Sequence, residues 1–196
     1  MAGELWNQQW EIAKETTPGT PVSSTRQMYF RPDDSRISRE RQPRAHKFAT
    51  GDRSPVRAFT LGPSQVGGQV SLPMSASEII ELLLITIKSA VTPTGAGSAK
   101  LWTFAPGTAL ESATVRWHDG ARPWRADGVR GSKLKIAGSV KDENIVTCEL
   151  FGLGMAQEAL TGGLTPRVPD FIEGWESKLY IDAFAATPGT TVIANE

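Results

Sequence analysis

A long β-hairpin is predicted by residues Gly131–Gly152, GSKLKIAGSVKDENIVTCELFG, and this element sets the fold class of the chain. In its first half, apolar or small side chains alternate with lysine and other side chains, the period of two that is typical of a strand with one solvent-facing side. Residues 141–144 carry a lysine, two acids and an asparagine, which predicts the turn. On this pattern, the side chains that pack on the core are Leu134, Ile136, Val146 and Leu150, with Cys148 between the last two.

The opposite face of this hairpin is mixed, since Ile145 and Phe151 lie among polar side chains. A face in bulk water would carry polar side chains on both strands. The pattern therefore predicts that this face contacts another subunit or lines a protected channel.

One helix is predicted for about residues 75–90. Ser75 and Glu78 have the spacing of a capping box, in which both side chains bind main-chain amides at a helix start. Isoleucine or leucine follows at seven positions between 79 and 87, so most of the helix surface must be covered. The apolar run is far shorter than the roughly 20 residues of a membrane span. We expect a helix that packs across the sheet without membrane insertion, and a neighbouring subunit that completes its burial.

Composition excludes several classes of site. The chain has 196 residues, and its 21 basic and 21 acidic side chains favour neither a nucleic-acid binder nor a binder of acidic surfaces. The 19 glycines and 13 prolines are typical of a turn-rich β protein. A lone Cys148 and two histidines exclude an intrachain disulfide, a thiolate zinc cluster and a histidine-rich metal site. Residues 1–9 lack the apolar run of an export signal, which predicts a protein made and kept in a reducing cytoplasm.

Motifs for catalysis are weak. Trp117-His118-Asp119 holds a histidine beside a carboxylate, but no Gly-x-Ser-x-Gly elbow supplies a nucleophile. Gly152-Leu153-Gly154 resembles the start of a dinucleotide loop without its third glycine, and no phosphate loop occurs. We therefore expect no catalytic residue, no metal and no cofactor.

Residues 31–57 form the clearest shift in composition. They hold eight basic side chains, four acidic ones and only three large apolar ones, so the segment cannot build a core. The pattern predicts a long basic loop or extended arm, and a loop of this length is usually functional or disordered. Three interpretations of residues 31–57 stay open. The segment binds an acidic surface of another copy, which we favour; it binds nucleic acid; or it is an ordinary solvated loop.

Six further strands are predicted from short runs bounded by turn residues. They are Trp10–Lys14, Thr25–Phe30, Gln65–Leu72, Lys100–Phe104, Thr114–His118 and Lys178–Phe184. Asp119-Gly120 and Asp127-Gly128 have the residue types of hairpin turns. Trp117 lies just before the first pair and Trp124 between the two, and we expect them to brace adjacent strand ends. Because strands and helices do not alternate, we predict a mainly β sandwich or barrel with one flanking helix.

The run from Trp10 to Val22, WEIAKETTPGTPV, resembles the N-terminal signature of the tail tube proteins (major tail proteins) of bacteriophages with long non-contractile tails. The later order is similar too: a glycine-bearing strand at 67–71, the helix, and the hairpin Lys133 to Phe151. The resemblance covers almost the whole chain. It implies a tail-tube-like β domain over residues 1–175. Residues 176–196 would be a C-terminal strand and extension, or the start of a second tube domain, since residues 187–190 repeat the Thr-Pro-Gly-Thr of 17–20.

The family implies a virion protein, made in the bacterial host cytoplasm, that self-assembles into stacked rings around a channel for genome passage. The rings would be hexameric, or trimeric with pseudo-six-fold symmetry. Its partners would be other copies of itself, tape measure and tail terminator proteins, and DNA in transient, non-specific passage. The resemblance implies an inter-ring contact at Arg36, Arg39, Arg41, Arg44 and Lys47. It implies a ring or lumen contact at Lys133, Lys135, Ala137, Ser139, Thr147 and Glu149.

Two alternatives stay open. One is the tube protein of a type VI secretion system, which has a related fold. The other is a nucleic-acid-binding β-barrel that uses the basic arm on phosphates, in which case binding would weaken steeply with salt.

Overall fold

The computed structural model describes residues 8–47, 56–87, 91–95, 100–108, 110–139, 141–168 and 170–176. These residues are mainly β with a single α-helix, as the sequence predicts. In chain order the described elements are β1 (Gln9–Lys14), β2 (Arg26–Met28), β3 (Arg36–Lys47), β4 (Val56–Pro73), α1 (Ala76–Thr86), β5 (Ala113–His118), β6 (Pro123–Ala137), β7 (Ile145–Gly152) and β8 (Gly154–Gln157). Short 3-10 turns occupy Pro32–Asp34 and Gly174–Glu176.

The strands form one antiparallel sheet in the order β2-β1-β5-β6-β7-β4-β3, and β8 also pairs with β6. The long strand β6 belongs to both halves of this sheet. Its residues 123–129 pair with β5 and β8, whereas residues 130–137 pair with β7. The order leaves β2 and β3 at the two edges.

One hydrophobic core joins the two halves of the sheet to the helix. Its buried side chains come from β1 and β5 (Trp10, Ile12, Val115 and Trp117), from β4 and β7 (Val70, Leu72, Val146 and Cys148) and from α1 (Leu82 and Ile85). Each strand contributes every second residue, which is why a period of two predicts these strands correctly. Burial of one aliphatic side chain of this size stabilises a fold by about 1.5–3 kcal/mol.

The predicted hairpin is confirmed, because β6 pairs with β7 in the register that sets Leu134 opposite Cys148. The predicted core face is right for Val146, Cys148 and Leu150, which are buried. Ile136 departs from it, since 51% of the residue is exposed one position before β6 ends. The sheet reaches past the core at this point, so alternation alone does not identify a buried residue.

The helix is confirmed, but it covers only Ala76–Thr86, and residues 88–90 of the predicted span lie outside the described ranges. The predicted capping box is wrong. The Ser75 hydroxyl pairs with the Ser77 hydroxyl at 3.0 Å and caps no amide of α1. Glu78 is buried, which raises the pKa of its carboxyl, and it accepts a hydrogen bond from the main-chain amide of Tyr29 instead. A tertiary contact has replaced the local one.

The interpretation of residues 31–57 as a long loop is wrong. Residues 32–34 form a 3-10 turn, residues 36–47 are β3, and β4 begins at Val56. β3 and β4 pair from Arg36–Gln69 at one end to Lys47–Val56 at the other. Main-chain hydrogen bonds hold this hairpin together, so a segment that is poor in apolar side chains can still be regular.

Two smaller predictions are also wrong. The described residues 100–108 form no strand, and a single bridge joins Leu101 to Thr94. Asp127-Gly128 makes no hairpin turn but a bulge inside β6, where Gly128 has a φ of 64° and the register against β5 shifts. The residue types did indicate a positive φ, yet a bulge and a turn both need one.

Asp119-Gly120 does form the turn between β5 and β6, and Trp117 lies opposite Trp124 beside it. The Trp124 indole donates to an Asp119 carboxylate oxygen at 2.8 Å, which fixes the turn against the strand end. The predicted strand Lys178–Phe184 and almost all of the extension 176–196 lie outside the described residues.

Candidate functional site

The outer part of the β3–β4 hairpin stands apart from the rest of the sheet. β4 pairs with β7 only from Val66 to Pro73, so within the described ranges the hairpin beyond Ser64 pairs only with itself. We call this part, residues 42–47 and 56–63, the arm. At about 3.3 Å per residue its length is roughly 25 Å. Nearly all of its described side chains are exposed.

The two faces of the arm differ in chemistry, because side chains of residues that pair across strands share a face. Pro43 lies opposite Leu61 and Ala45 opposite Phe59, and we call these four residues the apolar stripe. Phe59 is 70% exposed and Leu61 67% exposed. The opposite face carries Arg44 beside Thr60 and His46 beside Ala58.

The structure divides the five residues predicted for the inter-ring contact. Arg36, Arg39 and Arg41 lie on the inner part of β3, next to the sheet, whereas Arg44 and Lys47 lie on the arm. All five are exposed. The Arg39 guanidinium donates to the Met155 carbonyl oxygen at 3.3 Å. They form one basic edge rather than a loop, and sequence reasoning missed the apolar stripe beside it. The alternation of Ala58, Phe59, Thr60 and Leu61 was the signal for it.

The root of the arm depends on a close approach between two strands. A Cβ atom added to Gly68 would lie 1.9 Å from the Arg36 carbonyl oxygen. At the neighbouring Gly67 the nearest atom, the Leu150 carbonyl oxygen, would be 3.4 Å away. Gly67 therefore has room for a side chain and Gly68 has none, so only Gly68 must be a glycine for the two strands to pair.

Five of the six residues predicted to line the lumen lie on one face of β6 and β7. Lys133 lies opposite Glu149, and its ammonium group is 2.9 Å from that carboxylate. Lys135 lies opposite Thr147, two residues further along β6. Ala137 continues the row at the end of β6. Ser139 departs from it, because it lies in the turn and donates to Asp142 at 2.9 Å. All six are exposed except Thr147, which is partly buried.

This face continues across β4 and β3, where Gln69 lies opposite Glu149 and Arg36 opposite Gln69. Phe151 belongs to the same row and is 46% exposed. The result is a broad sheet face of mixed charge, opposite the face that packs on α1. It matches the mixed pattern that the sequence predicts for the hairpin.

The run that carries the resemblance contains a buried carboxylate. Glu15 is 4% exposed and accepts hydrogen bonds from the Ser112 hydroxyl at 2.6 Å and the Thr114 hydroxyl at 2.8 Å. The main-chain amides of Gly19 and Gly128 donate to it at 2.8 and 2.9 Å. Burial acts to raise the pKa of this carboxyl, but the four hydrogen bonds outweigh it and hold the pKa below its ordinary value. Glu15 thus ties the N-terminal turn to β5 and to the β6 bulge.

A cleft of about 550 Å³ lies between α1 and strands β1 and β2. Its floor is apolar, with Ile80, Leu84 and Trp102 among the lining residues. Two ion pairs stand at its rim, Lys14 with Glu111 and Arg26 with Glu81. These four side chains are therefore engaged in ion pairs, and the Ser77 hydroxyl, which also lines the cleft, is hydrogen-bonded to the Ser75 hydroxyl.

His118 and Cys148, whose side-chain types can act in catalysis, are both held in structural positions. The Nδ1 atom of His118 accepts a hydrogen bond from the Gly120 amide at 3.0 Å, as part of the β5–β6 turn. Cys148 is buried, which raises the pKa of its thiol and disfavours the reactive thiolate. Within the described residues, three or more histidine, cysteine or acidic side chains nowhere come together as a metal-binding group. The described part of the chain also has no helix long and apolar enough to cross a membrane.

No protein-family model matches the chain, and the comparison with curated proteins finds no match. The arm, the mixed sheet face and the buried carboxylate of Glu15 are the features of the described residues that bear on function.

Proposed function

We propose that this protein is a structural subunit of a bacteriophage tail tube, which self-assembles into stacked rings and forms a conduit for genome passage. The observation that carries the proposal is the arm, whose apolar stripe has no cover from the subunit's own core. The fold class and the run WEIAKETTPGTPV, with its buried Glu15, support the same family.

An exposed apolar stripe of this kind favours self-association over the monomeric state. Phe59 and Leu61 are exposed side by side on a ribbon whose two described strands pair with each other. Contiguous exposed apolar side chains mark protein interaction sites. The edge strand β3 adds a row of main-chain groups that another strand can pair with. The apolar stripe and the free edge of β3 are features that favour a subunit of an assembly over an enzyme.

The mixed sheet face suits a channel lining. Lys133 is paired with Glu149 rather than presented as a free cation. Arg36, Lys135 and the partly buried Arg130 are the other basic side chains of this face among the described residues, and Glu40 is a further carboxylate on it. A lining of this kind gives DNA weak contacts that do not depend on sequence, as passage of a polyanion requires.

The proposed assembly has hexameric rings, or trimeric rings with pseudo-six-fold symmetry, within the virion tail. Other copies of the chain are its main partners, followed by tape measure and tail terminator proteins, with DNA in transient passage. The proposal involves no catalysis and no cofactor. A type VI secretion tube is the related structural alternative.

A second candidate function is nucleic-acid binding through the basic edge. Five exposed basic side chains in β3, with Glu40 as the one carboxylate among them, favour it. The aromatic side chains available for base stacking on the hairpin are few, with Phe59 on the arm and His46 on its other face. Structural assembly remains the better-supported reading because the apolar stripe has no role in phosphate binding.

Sedimentation velocity of the purified chain, over a range of protein and salt concentrations, distinguishes self-assembly from nucleic-acid binding. Assembly that buries the apolar stripe should persist as salt rises. Association that depends on phosphates requires added nucleic acid and weakens steeply with salt. A chain that stays monomeric under all of these conditions contradicts the proposal.

A further inference from the structure

The arm and one other exposed aromatic region lie at opposite ends of the same strand. β4 begins in the arm at Val56 and ends at Pro73, 18 residues later. At about 3.3 Å per residue this separation approaches 55 Å. Met74, the next residue, bonds to the Asn144 carbonyl through its amide and to the Ile172 amide through its carbonyl, at 2.7 and 2.8 Å. The end of β4 is therefore joined to the β6–β7 turn and to residues near 172.

We call this region, residues 141–144 and 170–176, the aromatic end. The Asn144 side chain donates to the Ile172 carbonyl oxygen at 3.1 Å, and the Gly174 amide donates to the Asp142 carbonyl oxygen at 3.2 Å. These bonds hold the two segments together. Trp175 is 69% exposed and Phe171 is 40% exposed on this fixed platform. Large exposed aromatic side chains are typical of the centres of protein interfaces.

The charges of the two ends are complementary. The arm holds three basic side chains and no carboxylate, whereas the aromatic end holds five carboxylates and one lysine. Among these carboxylates, Asp142, Glu143, Asp170 and Glu176 are exposed, and Glu143 is paired with Arg31 of its own chain at 3.3 Å. Opposite charges around an apolar contact fix its orientation and exclude the contact of like ends.

We propose that the apolar stripe of one copy docks on Trp175 and Phe171 of a second copy, with Arg41 and Lys47, which lie on the same face of β3 as the stripe, facing carboxylates of its aromatic end. This inference rests on the proposed function and names the receptor of the arm. The two surfaces differ and lie at opposite ends of the subunit, so the contact is head-to-tail and repeats along an axis without closing on itself. Stacked rings require this geometry.

Cysteine cross-linking between copies tests the contact. One preparation carries Ala45→Cys and a second carries Asp170→Cys, so that the large apolar side chains of both surfaces are kept, and the native Cys148 is buried and does not compete. The two are mixed as full chains, oxidised, and analysed by mass spectrometry for a peptide that joins positions 45 and 170. Ala121→Cys, in the exposed turn before β6, replaces Asp170→Cys in the control.

A charge swap provides a second measurement that does not alter the apolar contact. We expect Arg41→Glu with Lys47→Glu to prevent stacking, and Asp142→Lys with Asp170→Lys to prevent it as well, since all four side chains are exposed. An equal mixture of the two variants should stack again, because each arm then meets an end of opposite charge. Failure of the mixture to recover would overturn the assignment, since each variant carries one native surface.

The cross-link also separates this inference from the proposed function. A 45–170 link well above the control supports the inference. Tubes without that link would leave the tail tube proposal standing and overturn the docking site. A link in a protein that forms linear chains of subunits without rings would support the docking site and contradict the tail tube.

Discussion

The carboxylate of Glu15 accepts a hydrogen bond from the main-chain amide of Gly128 at 2.9 Å, although 113 residues separate them. This bond connects the Lys-Glu-Thr-Thr-Pro-Gly run to the bulge at which β6 passes from one half of the sheet to the other. The N-terminal run therefore supports the element that shapes the whole sheet.

Replacing Glu15 should cost stability in a pH-dependent way. Glu15→Gln leaves donors facing an uncharged group, and we expect a loss of about 1–3 kcal/mol in the free energy of unfolding at pH 7. The pKa of Glu15 is lowered in the fold, so its stabilisation is present above the ordinary glutamate pKa of 4.5. It is lost as the pH falls through the lower folded value. Urea unfolding at several pH values measures this.

The difference between wild type and Glu15→Gln should therefore shrink as the pH falls below 4.5. Comparing the two proteins cancels the contribution of other carboxylates. A difference that stays constant down to pH 3 would show that the charge of Glu15 does not stabilise the fold.

Gly68→Ala should separate β3 from β4. The added Cβ would meet the Arg36 carbonyl oxygen at 1.9 Å, a main-chain atom that cannot move aside alone. We expect a loss of about 1–3 kcal/mol, as for other overpacking changes. Hydrogen exchange of β3 amides should rise with it. Gly67→Ala, with its nearest atom at 3.4 Å, is the matched control and should change little. Equal effects at both positions would refute the close approach as the cause.

The two faces of the hairpin should respond differently to a carboxylate. Val146 is completely buried, so Val146→Asp places an unpaired charge in the core and should abolish soluble folding. Ala137→Asp lies on the exposed mixed face and should leave the monomer folded while it disturbs ring formation. Circular dichroism and size-exclusion chromatography distinguish these outcomes. The half-exposed Ile136 is a poorer test of the core than alternation indicates, and Ile136→Asp should have an intermediate effect.

Polar replacement of the apolar stripe should separate folding from assembly. Phe59→Ser with Leu61→Ser should change the free energy of unfolding by no more than about 0.5 kcal/mol, because both side chains are exposed. Assembly should be lost. Leu101→Ser removes an equally exposed leucine outside the arm and serves as control.

Replacing Arg36, Arg39, Arg41, Arg44 and Lys47 by glutamine should likewise leave the melting temperature nearly unchanged and stop the elongation of tubes. Long tubes from either arm variant would show that the arm does not join rings.

Duplex DNA should bind the soluble subunit only weakly at about 0.15 M salt, since a conduit needs contacts that release. A gel-shift assay measures this. Tight binding that disappears in the five-residue glutamine variant would favour the nucleic-acid alternative.

The period of two predicted much of this fold, and the failures have physical causes. Trp10 with Ile12, and Val146 with Cys148, alternate because one side of each strand is buried. The described side chains of the arm are nearly all exposed, so its composition resembles a loop even though its two strands pair with each other. The Glu15 site was invisible because its donors, Ser112, Thr114 and Gly128, are distant in sequence. The aromatic end depends on contacts between separate segments, which no local pattern records.

Negative-stain electron microscopy of the purified full chain tests the central claim most directly. We expect rings with a central channel, and stacks of such rings at higher protein concentration, while the Phe59→Ser, Leu61→Ser variant yields no stacks. Uniform single particles of subunit size at every concentration, for the wild-type chain, would contradict the account.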